Sequence, residues 1–178
     1  MELNHNHTIR ENIMKKSLKS YKKILATFAV AMAAATPSIA MAEEAPFKMV
    51  VMKNSISEQG MAQENLDSSI KKLTRNYSKK SSYDVNMGLC VAYLQADAMD
   101  KSVNACTAAI NSKELSYLDS TKANYFKALG YSNRGISKFK NGDLAGAFND
   151  LLIAKNTDVN TITQSNFSLI EKELKASL

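Results

Sequence analysis

The sequence predicts an all-α protein: a short α-solenoid of about three antiparallel helical hairpins closed by a C-terminal capping helix. Two stretches carry this reading, Asn86 to Ala109 and Tyr131 to Ala154, which can be laid over each other. In each, a small residue (Cys90, Gly135) stands 12 positions before another (Ser102, Ala147), and an Ala follows 7 positions later (Ala109, Ala154). Between them falls a turn with acidic or Gly residues, Asp97-Ala98-Met99 in the first and Gly142-Asp143-Leu144 in the second. Small side chains at this spacing let two helix axes approach back to back, while Met99, Leu144 and Leu151 fill the gaps beside them. Such units bury their faces by stacking, and stacked hairpins make surfaces rather than catalytic pockets.

The first 42 residues read as an export signal rather than as fold. Met14 opens a basic stretch with Lys15, Lys16, Lys19, Lys22 and Lys23, and a 12-residue apolar run follows from Ile24 to Ala35. Pro37 and the small-residue site Ala40-Met41-Ala42 come next, ahead of Glu43. This is the order of a secretory signal peptide over residues 14–42. The run is too short for a bilayer, which needs about 20 residues. Residues 1–13 carry Glu2 and Glu11, acids that a signal does not want, and read as a non-native extension ahead of a start at Met14. His5 and His7 within it lack a third partner, so no metal site is expected. No Cys follows the apolar run until Cys90 and no Arg-Arg pair precedes it. The expectation is a chain secreted across the inner membrane to the periplasm, without lipid attachment and without membrane insertion after the leader is cleaved.

Removal of the leader changes the composition. The whole chain carries a net charge of +6 from 23 basic and 17 acidic residues. The leader holds 6 of the former and 2 of the latter, so the mature chain is near +2. The best basic cluster, Lys71-Lys72, Arg75 and Lys79-Lys80, reads as a solvated helix end, and no nucleic-acid partner is expected. Both histidines leave with the leader, and the chain has no Trp. Without His there is no Ser-His-Asp or Cys-His arrangement and no side chain of the usual kind for moving protons near neutral pH. No Gly-rich phosphate loop, nucleophile elbow or Asp-rich cation loop stands in the sequence. Asp84, Asp97, Asp100 and Asp119 are scattered at helix starts and turns, where they act as caps. These absences argue against an enzyme, and no cofactor is expected.

Residues 43–54 form a lead-in, with Phe47 to Met52 either extended or the front of a first helix. Residues 55–178 form the repeat domain. Ser55 and Glu58 make a capping box that starts a helix near Ile56. Gln63-Glu64-Asn65 resembles the later turns, and Leu66, Ile70 and Leu73 recur at helical spacing, so Ile56 to Tyr77 reads as a degenerate third hairpin, or else as one long helix. Asn76 to Ser82 is a polar connector. Asn111 to Ser120 is an insert, after which Asp119 or Ser120 caps a long helix reaching Lys140. Thr157 to Gln164 is turn-rich. Asn166 to Leu178, with Phe167, Ile170 and Leu174 on one face, is the helix that covers the open end of the stack.

Cys90 and Cys106 lie at matching distances from the turn on opposite helices, at a close-contact position. In an oxidising compartment this predicts a disulfide, with two buried thiols acting as small apolar residues as the alternative.

The chain resembles the tetratricopeptide repeat family. Asn133-Arg134-Gly135, Asn141-Gly142-Asp143-Leu144, Ala147 and Ala154 fall where that family's pattern expects them, and the first unit keeps Leu89, Tyr93, Met99 and Ala109. Cys90 and Ser102 depart from it at the small positions, as do Glu114 and Val159 at the closing proline. The 45 residues from Cys90 to Gly135 exceed the family's period of about 34. The resemblance implies that the first helix of each hairpin lines a groove gripping partner segments, through Met87, Val91, Leu94 and Gln95 in one unit and Ser132, Ile136, Phe139 and Lys140 in the other. Val91, Leu94, Ile136 and Phe139 are more apolar than a solvated face should be, and would suit either a bound peptide or a neighbouring hairpin. The implied function is an exported, non-catalytic scaffold for a protein or peptide partner. The alternative is a structural subunit that self-assembles or sits in an envelope complex.

Overall fold

The computed structural model describes residues 47–53, 55–62, 65–79 and 82–176. The expected leader and residues 43–46 lie outside these, as do Gln63 and Glu64 of the first expected turn. Residues 47–172 form one compact unit.

Among the described residues the secondary structure is entirely helical. Seven α-helices run in order: α1 (Ile56–Met61), α2 (Leu66–Lys79), α3 (Tyr83–Gln95), α4 (Met99–Ile110), α5 (Ser120–Lys140), α6 (Leu144–Thr157) and α7 (Thr161–Ala176), with a 3-10 turn at Lys113–Tyr117. Side-chain caps explain most of the starts. Ser55 accepts from the Glu58 N–H, Ser82 from Val85, Asp119 from Lys122 and Asp143 from Gly146. Each satisfies a donor that the first helical turn cannot. Turns at Asp97 (φ 52°) and Gly142 (φ 80°) take left-handed backbone, which Asp tolerates and Gly adopts without strain.

Helices pair as hairpins, α1 with α2, α3 with α4 and α5 with α6, and each hairpin meets the next. The first helices α1, α3 and α5 also meet in that order along one face. The small positions do what their spacing implies. Cys90, Ser102, Ala109, Ala147 and Ala154 are all fully buried. A methyl group added to Gly135 would sit 2.8 Å from Leu151 Cγ and 3.2 Å from the Ala147 carbonyl. Close backbone approach therefore excludes any larger residue there.

Two boundaries differ from the sequence reading, and the insert has structure of its own. α2 runs to Lys79, so the connector expected from Asn76 is shorter. The insert holds the 3-10 turn, whose Glu114 carboxylate accepts from the Tyr83 N–H at 3.0 Å and helps start α3. The last helix begins at Thr161 rather than near Asn166, because the Asn160 side chain accepts from both the Ile162 and Thr163 N–H groups at 3.0 Å. Ile56 to Tyr77 is a hairpin, not one helix, and Phe47 to Lys53 is non-helical.

Candidate functional site

The face made by α3, α5 and α7 is occupied by the chain itself. Residues 47–52, hereafter the arm, lie across it in irregular conformation. Two asparagines hold the arm by its backbone. Asn133 of α5 accepts from the Val50 N–H at 3.1 Å and donates Nδ2–H to the Val50 carbonyl at 2.8 Å. Asn166 of α7 does the same to Lys48, at 2.8 and 2.9 Å. Each carboxamide thus offers one acceptor and one donor to a single residue, as a neighbouring strand would. Lys48 and Val50 are two apart, the spacing at which an extended chain turns its polar groups to one edge. Both asparagines are fully buried, and Asn166 also donates to Ser132 Oγ at 2.8 Å. Buried amides need such partners, because an unpaired one costs about 1–3 kcal/mol.

The arm's side chains also make contacts. Val50 and Met52 pack on a buried cluster of Tyr83, Met87, Ala109, Leu115 and Leu129. The Phe47 ring lies 5.1 Å from that of Phe139. Lys48 and Met49 face solvent. The arm then passes into α1, where Ser55 Oγ donates to the Met52 carbonyl. Asp84 of α3 accepts from the Ile56 and Ser57 N–H groups, so α1 is docked on α3 by a cap from another helix.

The residues expected to line an open strip divide in two. Met87, Val91, Leu94, Ser132 and Ile136 are buried, so in this state they are core and not accessible surface. The arm covers Met87 and Asn166 covers Ser132. Phe139 is half-buried under Phe47, and Gln95 and Lys140 are exposed at the turn ends of their helices. Asn133, Asn166 and the arm were not among the expected site residues. No sequence signal singles out these two asparagines, which look like ordinary polar helix residues.

Other polar groups brace the frame. Cys90 and Cys106 are disulfide-bonded, with Cα atoms 5.0 Å apart. Ser102 Oγ donates to the Cys90 carbonyl and pairs with Ser137 Oγ, both at 2.7 Å. Asp150, 1% exposed, receives Arg134 through two hydrogen bonds of 2.7 and 2.9 Å and Lys138 at 2.9 Å. The hydrogen bond to Asp150 holds the Arg134 guanidinium above its ordinary value, so it stays charged. Burial pushes the Tyr83 phenol far up, and its hydroxyl donates to the Phe126 carbonyl at 2.7 Å. Each group is spent on holding helices together.

Among the described residues no group of three or more His, Cys, Asp or Glu is arranged to hold a metal, and no helix is long and apolar enough to cross a membrane. Comparison with protein-family models, curated proteins and solved structures finds no match to this chain.

Proposed function

We propose that this protein is an exported, non-catalytic scaffold of tetratricopeptide-like build that binds another polypeptide in the cell envelope. One observation carries the reading: Asn133 and Asn166 clasp a non-helical length of backbone through its peptide groups, which every polypeptide has. Hairpins stacked through Gly135, Ala147, Cys90 and Ser102 supply the rigid face on which those amides stand. The leader pattern supports export, and the Cys90–Cys106 bridge is of the kind that an oxidising compartment maintains.

Photo-cross-linkers placed at the exposed positions Gln95 and Lys140 test this in cells. Controls sit at Asn104 and Asn156, exposed on second helices. Polypeptide adducts concentrated at Gln95 and Lys140 are expected. Equal labelling at the controls, or a stable homo-oligomer by native mass at low concentration, would move the assignment to a self-assembling structural subunit.

A further inference from the structure

Resting on that reading, we propose that the arm Phe47–Met52 is a resident pseudo-ligand, and that the partner is an extended segment of another polypeptide that takes its place. The partner's apolar side chains would stand at the first, fourth and sixth positions, as Phe47, Val50 and Met52 do, and its second and fourth peptide groups would meet Asn166 and Asn133.

Three observations carry this. The clasp reads peptide groups and leaves the side chains at those two positions free to vary. The arm's anchors, Phe47, Val50 and Met52, are only half-buried, and Lys48 and Met49 face solvent, so little of the arm is committed to the core. The two clasping amides come from separate helices, and both are fully buried beneath the arm. Taking the arm away would leave both carboxamides to water, apart from the Asn166–Ser132 bond, until another backbone arrived to meet them. A tethered segment competes at an effective concentration on the order of mM. The resident arm therefore scales apparent affinity down to the fraction of time that the face is free of it, and loosening it raises that affinity.

The test uses the full chain and a fluorescent peptide of the arm sequence, FKMVVMK, read by anisotropy. Lys48→Pro removes the N–H that Asn166 accepts, at a solvent-facing side chain. It is expected to bind the peptide at least tenfold tighter than wild type, with unchanged helical circular dichroism. Should Lys48→Pro unfold, Phe47→Ala loosens the arm through its ring contact alone and carries the same expectation. Adding Asn133→Ala, or N-methylating the peptide at its second and fourth residues, is expected to abolish binding. The proposal is overturned if neither loosened variant binds the peptide, or if binding ignores both Asn133→Ala and N-methylation. It is also overturned by a concentration-dependent dimer that the peptide dissociates, which would give the face to a second copy of this chain. Adducts persisting at Gln95 and Lys140 in any of these cases would leave polypeptide binding standing while removing the arm from it.

Discussion

α3 and α5 hold the same place in their hairpins, yet their outer faces are covered in different ways. Gly88 and Asn133 stand in the same register, each two residues before a small position. At Gly88 the cover is a helix: a methyl group there would lie 2.8 Å from Ser57 Cβ and 3.1 Å from Ser57 Cα, so α1 rests directly on α3. At Asn133 the cover is the arm, held at the length of a carboxamide. A missing side chain admits a helix permanently, and a polar one presents a backbone-shaped site. The interiors differ too. Cys90 and Ser102 close the α3–α4 hairpin with a disulfide and a hydroxyl–carbonyl bond, where Gly135 and Ala147 close the α5–α6 hairpin by contact alone and a buried ion cluster braces it. Helix approach fixes the size of the residue at these positions and leaves its chemistry open.

The contrast can be broken most sharply at the ion cluster. Asp150→Ala leaves Arg134 and Lys138 without their shared acceptor and should destabilise by about 4 kcal/mol in urea unfolding. The equivalent break in the α3–α4 hairpin is Cys90→Ala with Cys106→Ala. Opening a loop of 16 residues should cost about 3 kcal/mol, and a reducing agent should reproduce the loss in wild type. Gly88→Val should cost about 2 kcal/mol and expose α1 to proteolysis, because the nearest atoms include Ser57 backbone that cannot step aside. The smallest effect belongs to the α5 cap. The Lys122 N–H holds the Asp119 carboxyl below its usual 3.8. Its folded value being depressed, the cap's contribution is complete above the ordinary Asp range and is lost as pH falls through the lower folded value. The stability difference between wild type and Asp119→Ala should therefore be present at pH 6 and vanish in strong acid.

Much of the frame was legible because its causes are local. Ser55 and Asp119 cap the helices that follow them, as read from the sequence, and the 12-residue spacing of small positions survives as buried contact. The end of α2 was not, because Asn76 to Lys79 holds only the exposed Tyr77 among polar residues and the helix continues past its apolar pattern. The site was half legible. The face of α3 and α5 stood out as too apolar for solvent, but its occupant did not, since an irregular arm of six residues has no pattern that says where it lies. Asn133 and Asn166 each look like ordinary polar helix residues. Only the fold sets them two peptide units apart on one strand of backbone.

Amide hydrogen exchange at Lys48 and Val50 in the full chain tests the central claim most directly. Both N–H groups should exchange slowly although they lie outside any helix, and Asn133→Ala should release Val50 while the α3 and α5 amides keep their protection. Fast exchange of both amides in the wild-type chain, with those helices still protected, would contradict the account.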